Sequence, residues 1–253
     1  MITDQVRSLC HQMRLFGFHQ SAERRAAEAS SNQLAPLEFL RLLLEDELLA
    51  RRERTAKALL TMARFRTQAA LEDWDLSFDR GLAKAKIREL TQLGFYHSRE
   101  NLLLLGGTGT GKTHLSVAIG RRCCADNLST IFLPMNFLFE EAHAHKVAGR
   151  YVPHIKKLGK ANVIILDDFG LRTYTHEEAT ILVDLLEERY KKGAVIVTSQ
   201  VTPSGWIKLF EDPVIGEAIV DRLRFPAQEV LLRGGSYREK MQVNRPKQTV
   251  GEK

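Results

Sequence analysis

The stretch Gly106-Gly107-Thr108-Gly109-Thr110-Gly111-Lys112-Thr113 follows the apolar run Asn101–Leu105 and leads through His114-Leu115 into a helical pattern. It fills the spacing G-x-x-x-x-G-K-[ST] in the strand, loop, helix setting that the motif needs. Glycine lets the backbone wrap inward so that successive N–H groups face one anion, and a helix opening at Lys112 adds the positive end of its dipole. The anion this arrangement suits is a β-phosphate. Lys112 is positioned to bridge β- and γ-phosphate oxygens, and Thr113 offers a hydroxyl to Mg2+, which takes hard oxygen ligands and keeps several waters. The expected nucleotide cradle runs from Gly106 to His114.

About fifty residues on, Val163-Ile164-Ile165-Leu166 ends in Asp167-Asp168. A buried parallel strand delivers such carboxylates to its C-terminal edge, where open α/β sheets bind ligands. Asp167 is expected to hold Mg2+ and Asp168 to orient and polarise an attacking water, which makes the pair the second half of an ATP site. Another apolar run, Val195-Ile196-Val197-Thr198, ends in Ser199-Gln200, so Gln200 or Ser199 is a candidate to reach the γ-phosphate or the water.

Outward from these runs, short apolar segments alternate with amphipathic ones, which implies a parallel sheet covered on both faces. Five strands are predicted, at Asn101–Leu105, Thr130–Leu133, Asn162–Asp167, Ala194–Thr198 and Glu229–Leu232, with helices beginning near Lys112, Asn136, Thr175 and Pro203. Thr175-His176-Glu177-Glu178 reads as a capping box. Residues 5–68 lack strand alternation; Leu37, Leu40, Leu44 and Leu48 recur at helical spacing, and Glu47/Arg51 and Glu53/Lys57 are spaced to support helix. Residues 70–79 are acidic and carry Trp74 and Phe78, marking a join; Trp74 either docks this linker on the next domain or stacks on a base or adenine. The expected organisation is a helical N-terminal domain over 1–69, a linker over 70–100, a nucleotide-binding core over 101–243 and a frayed polar tail over 244–253.

Composition agrees with a folded chain: of 253 residues, 44% are hydrophobic and 27% charged, which excludes disorder as the dominant state. The formal net charge of +6 favours an anionic partner without naming one. Cys10, Cys123 and Cys124 have no metal-pair spacing, and His143 and His145 are not read as metal ligands because no nearby acid or cysteine completes a set with them. With no secretory signal and no apolar run of spanning length, the expectation is a cytoplasmic protein without a membrane role.

Taken together, GGTGTGKTHL, VIILDDFG, VIVTSQ, AIVDRLRF and SYREKM resemble the IstB-type ATPases of bacterial insertion sequences, and the helicase loader DnaC and the initiator DnaA look like relatives within the AAA+ class. The likeness spans nearly the whole chain. It implies an α/β AAA+ P-loop core with strand order 5-1-4-3-2 behind a small all-α domain, with the helical lid reduced or absent. It also implies that Arg222 matches an arginine finger inserted into a neighbouring subunit's site, and that Arg238 matches an arginine sensing nucleotide state. One departure stands out: AAA+ proteins usually carry Asp-Glu where this chain has Asp167-Asp168, and the shorter carboxylate leaves hydrolysis slow or dependent on assembly.

Two basic clusters are candidate contacts to duplex DNA: Arg51, Arg52, Arg54 and Lys57, with Arg64 and Arg66 beyond them, and Lys146, Arg150, Lys156, Lys157 and Lys160. Contacts of this kind go to phosphates and are largely independent of sequence. The expected activity is that of a transposition helper, an ATPase assembling in a ring or spiral on target DNA and recruiting or activating an integrase-type transposase, with hydrolysis driving disassembly. A DnaC-like helicase loader, a P-loop kinase for a small molecule and a non-catalytic ATP-bound architectural protein are the competing readings.

Overall fold

Five apolar runs become five parallel strands: β1 (Asn101–Gly106), β2 (Thr130–Pro134), β3 (Val163–Phe169), β4 (Ala194–Ser199) and β5 (Ala227–Leu232). They lie in the order β2-β3-β4-β1-β5, so β4 sits between the strands that carry the phosphate loop and the acid pair. The computed structural model describes residues 4–237 and 239–240. The expected tail over 244–253 and Arg238 lie outside the described residues. Contacts divide the chain at Leu59/Leu60 into two units.

In the second unit, alternate side chains along the inner strands β1, β3 and β4 enter different cores, as the two-residue period requires. Leu103, Leu105, Ile164, Leu166, Val195 and Val197 join one cluster with Tyr174, Trp206 and Leu185; Leu102, Leu104, Val163, Ile165 and Ile196 join another with Trp74, Leu90 and Ile119. Both faces of these strands are therefore dry, which explains why they read as continuous apolar runs, while the edge strand β5 keeps Glu229 and Leu231 exposed. The helices preceding β1 are α4 (Lys84–Thr91) and α5 (Gly94–His97), numbered after the three of the first unit. The crossovers are α6 (Lys112–Ala125), α7 (Met135–Val147) with α8 (Tyr151–Gly159), α9 (His176–Arg189) and α10 (Pro213–Arg224).

The segment read as one helical stretch from Asn136 breaks at Gly149, which takes φ +66°. The helical element read from Pro203 is a short 3₁₀ turn, Pro203–Leu209, and α10 then starts on an Asp212 cap followed by Pro213. The capping box forms as its spacing predicts: the Thr175 side chain accepts from the Glu178 N–H, and the Glu178 carboxylate accepts from the Thr175 N–H.

The first unit holds α1 (Asp4–Gln12), α2 (Phe16–Asn32) and α3 (Pro36–Met62) up to Leu59. Leu37, Leu40, Leu44 and Leu48 are exposed by 44–80%, although their spacing reads as an apolar stripe. Burial on α3 falls instead on Leu43 and Glu47, because α2 crosses at Gly17, where an added Cβ would lie 2.5 Å from Ala50 Cβ. Glu47 accepts the N–H groups of Gly17 at 2.6 Å and Phe18 at 3.0 Å, and its other oxygen takes Arg51 Nε at 2.7 Å. Burial works against its charge, but these donors outweigh burial and hold the carboxyl below its ordinary range. Beside it, the Arg25 guanidinium holds Asp46 down to about 2.

Glu47→Gln in the full chain should therefore loosen the first unit by about 2 kcal/mol, the loss expected when hydrogen bonds to a charge are weakened in a buried setting. Hydrogen exchange at neutral pH checks this: α2 and α3 amides should lose protection while those of α6 do not. Both depressed carboxyls also make this unit acid-labile. Its stabilisation is complete above the ordinary carboxylate range and is lost as pH falls toward the value of about 2 held by Asp46.

Candidate nucleotide site

The loop after β1 bends at two positions where only glycine fits well. Gly109 takes φ +78° with Ser236 Oγ 2.3 Å from where its Cβ would be, and Gly111 takes φ +99° with Trp74 at 3.2 Å. Lys112, the first residue of α6, is buried, and its ammonium donates to the carbonyls of Gly106 at 2.9 Å and Gly107 at 2.7 Å. Thr110 Oγ1 also donates to the Gly107 carbonyl, at 2.9 Å. The cation thus rests at the centre of the loop that the motif predicts for phosphate.

Asp167 meets this loop from β3. Thr113 Oγ1 donates to its carboxylate at 3.0 Å, and Thr198 Oγ1, from β4, donates to the same oxygen at 2.7 Å. The Thr198 hydroxyl in turn accepts the Asp168 N–H at 2.9 Å. Burial is the largest influence on Asp167 and pushes its pKa up, with the Asp168 charge adding to it; Thr198, Thr113 and Lys112 oppose them. A buried carboxylate with a raised pKa and a hydroxyl beside it is a hard-oxygen pair that gains from a cation, so Thr113 and Asp167 fit Mg2+.

Asp168 is exposed and sits in the left-handed region at φ +62°, where the β3/β4 register slips between Leu166 and Phe169. Aspartate tolerates that backbone better than glutamate does, because its short side chain bonds locally. The departure from Asp-Glu therefore has a conformational reason.

Of the two candidates after β4, Gln200 faces the loop, its Oε1 accepting from Thr108 Oγ1 at 2.7 Å. Ser199 turns away, buried, and donates to the Phe169 carbonyl at 2.7 Å. Lys112, Thr113, Asp168, Gln200 and His114 line one cavity of about 400 Å3. Its other wall was not anticipated: Arg80 and Tyr237 also line it. Trp74, flagged in the linker, stacks on Arg80 at 3.9 Å and lies 5.9 Å from the His114 ring. Burial, then the Arg80 charge, hold His114 below the usual imidazole range. Thr198 was also missed; the one signal for it is a hydroxyl residue ending the apolar run of a strand beside that of the acid pair.

Arg222 lies elsewhere. Its backbone carbonyl accepts from the side chain of Asn101, the first residue of β1, and its guanidinium reaches Glu187 at 3.1 Å. It is at the sheet edge where β1 begins, whereas Gly106 ends β1, and six residues of strand span about 20 Å. Among the proposed DNA contacts, Arg51 and Arg54 both pair with Glu47, and Lys146 pairs with Glu177. Arg52, Lys57, Arg150, Lys156, Lys157 and Lys160 are exposed. No helix among the described residues is long and apolar enough to cross a membrane.

A parallel sheet in this order, with a phosphate loop after its first strand and an acid pair after its third, defines a P-loop nucleotide-binding core. Residues 8–245 match the model of the IstB-like ATP binding protein family, and the chain belongs to that family. It is 34% identical over 213 residues to a protein named as an ATP-binding protein of insertion sequence IS21 from Pseudomonas aeruginosa, covering 84% of this chain and 80% of that one. It is 31% identical over 244 residues to one named as an ATP-binding protein in an insertion sequence of Mycobacterium tuberculosis, covering 95% and 96%. In fold it is similar to AMPPCP-bound DnaA from Aquifex aeolicus, with TM-score 0.57 and 18% identity over 71% of this chain and 56% of that one. It is also similar to the DnaC helicase loader, with TM-score 0.51 and 20% identity over 65% and 97%.

Thr198→Val keeps the shape and removes the hydroxyl that lowers the Asp167 pKa. Mg2+-dependent ATP binding should weaken about tenfold, as for one lost hydrogen bond to a charged group. Binding a cation requires Asp167 to be ionised, so affinity falls as pH drops through its pKa. In the variant, which lacks the Thr198 donor, that fall should begin at higher pH, as read by calorimetry from about pH 8 down to about pH 5.

Proposed function

We propose that this protein is an ATP-hydrolysing transposition helper that assembles head to tail on duplex DNA, presents that DNA to a transposase, and is released by hydrolysis. The observation that carries the reading is the separation of the nucleotide machinery and Arg222 to opposite edges of one sheet. A residue so placed acts on a nucleotide only in a neighbouring copy, and two different surfaces on one subunit pair heterologously, giving rings or open spirals. Names of the relatives, which are ATP-binding proteins of insertion sequences, support transposition as the setting.

Within the site, Lys112 stabilises charge on the β- and γ-phosphates, and Asp168 orients the attacking water and takes up its proton as the bond to the leaving diphosphate breaks. Gln200, held by Thr108, faces the terminal phosphate. Thr113 and Asp167 would hold Mg2+, which supplies neutralisation of phosphate charge when bound. Arg222 supplies a further cation to the neighbour's phosphate, and Arg238 is assigned to sensing the nucleotide.

Duplex DNA is contacted through phosphates by Arg51, Arg52, Arg54 and Lys57 on α3 and by Lys146, Arg150, Lys156, Lys157 and Lys160 on and between α7 and α8 and just beyond α8. Modest clusters suffice when several copies repeat them. The exposed stripe of Leu37, Leu40, Leu44 and Leu48 is the surface offered to the protein partner.

Particle size and duplex binding, measured with ATP, ADP and no nucleotide, test this. ATP should produce larger particles and tighter, salt-sensitive binding. Lys112→Ala should abolish both, and Asp168→Asn should preserve them while ending turnover. Unchanged size in every condition contradicts the assembly. Arg222→Ala should leave ATP binding intact and remove the rise of turnover with protein concentration; an unaltered rise would show that Arg222 is no finger. Copurification with a replicative helicase in place of a transposase would favour the loader reading.

A further inference from the structure

The nucleotide cavity holds a cation that the phosphate-loop motif does not explain. Arg80 is 4% exposed, yet its Nε has no hydrogen-bond partner, and no ion pair to it occurs among the described residues. Its guanidinium lies between the rings of Trp74 at 3.9 Å and Tyr237 at 4.3 Å, with Phe78 at 5.4 Å. Aromatic faces attract a cation, but they do not replace the anion that a buried charge requires.

Two backbone links fix this stack against the phosphate loop. The Arg80 carbonyl accepts the Arg233 N–H at 2.8 Å, just past the end of β5, and the Tyr237 N–H donates to the Gly109 carbonyl at 3.0 Å. A Cβ on Gly111 would lie 3.4 Å from Arg80 Nη1. The stack therefore stands on the Gly109–Gly111 and β5 side of the loop. Asp168 and Gln200 close the other side, at the ends of β3 and β4.

We infer that Arg80 is a second phosphate-binding cation of the site, held by the Trp74–Arg80–Tyr237 stack against the α-phosphate, at the end of the polyphosphate opposite the one read by Asp168 and Gln200. The inference rests on the ATP site assigned above. It gives the cavity a cation that serves ATP and ADP alike, whereas the β3 and β4 side discriminates between them. A flat guanidinium suits the position because it can stack on two rings while its edge donates to phosphate oxygens.

Nucleotide affinity of Arg80→Gln and Arg80→Lys tests this, with ATP, ADP and tripolyphosphate as ligands in competition against a fluorescent ADP analogue. Arg80→Gln should weaken all three about tenfold, the scale of one charge-assisted hydrogen bond, and leave the ATP/ADP ratio unchanged. Arg80→Lys keeps the charge without the stack and should lose about threefold. If Arg80→Gln fails to fold by circular dichroism, the lysine variant decides, since wild-type affinity there overturns the inference. So does a loss confined to ATP, or one seen with ADP but not with tripolyphosphate, which would move Arg80 to the γ-phosphate or the base. Lys112→Ala is measured alongside: nucleotide binding that ignores Lys112 would sink the site itself, whereas binding that needs Lys112 and ignores Arg80 sinks only this step.

Discussion

A chain of two hydroxyls and one carboxylate ties the nucleotide-site edge of the sheet together. Thr113 at the start of α6 and Thr198 on β4 both donate to Asp167 on β3, and Thr198 accepts the Asp168 N–H. Three separate segments are fixed by one buried anion, so displacing any of them leaves a buried polar group unpaired. The phosphate loop, the acid pair and the Gln200 tip hold a common geometry because this link sets the height of each strand end relative to the others. A cation between Thr113 and Asp167 would strengthen the same link, which couples ligand binding to the rigidity of the edge.

The sheet could be read from sequence because its inner strands β1, β3 and β4 are buried on both faces and read as apolar runs with little ambiguity between strand and helix, whereas the edge strand β5 carries exposed Glu229 and Leu231. The phosphate loop and acid pair could be read because their chemistry depends on residues close in sequence. Thr198 and Arg80 could not. Each acts across a strand or linker pairing that no local pattern records, and threonine ending an apolar strand is ordinary. The leucines of α3 failed for the opposite reason: their spacing announces an apolar face but cannot say which line of the helix α2 meets. Gly17 and Glu47 settle that, one by permitting close approach and the other by capturing two backbone donors.

The position of Asp168 shows a compromise between backbone and chemistry. At φ +62°, a residue with a longer side chain would carry more strain, while aspartate reaches less far into the cavity. The bulge that produces this backbone also turns Phe169 back into the core, where it packs on Trp206 and Tyr174. Core packing and side-chain choice at the nucleotide-site edge are thus decided by the same irregularity, and a wholly regular β3 would not bring both adjacent acids to the same edge in this way.

Charge is distributed unequally over the cavity, and that asymmetry gives its two sides different tasks. On the β3 and β4 side, the proposed function sets Asp168 and Gln200 against a terminal phosphate whose presence distinguishes ATP from ADP. On the β5 side, a guanidinium is stacked on Trp74 and Tyr237, where the inferred α-phosphate contact would serve both nucleotides. Tyr237 also joins the segment after β5 to Gly109, so this wall of the cavity is built from the stretch before β1 together with the chain that follows β5.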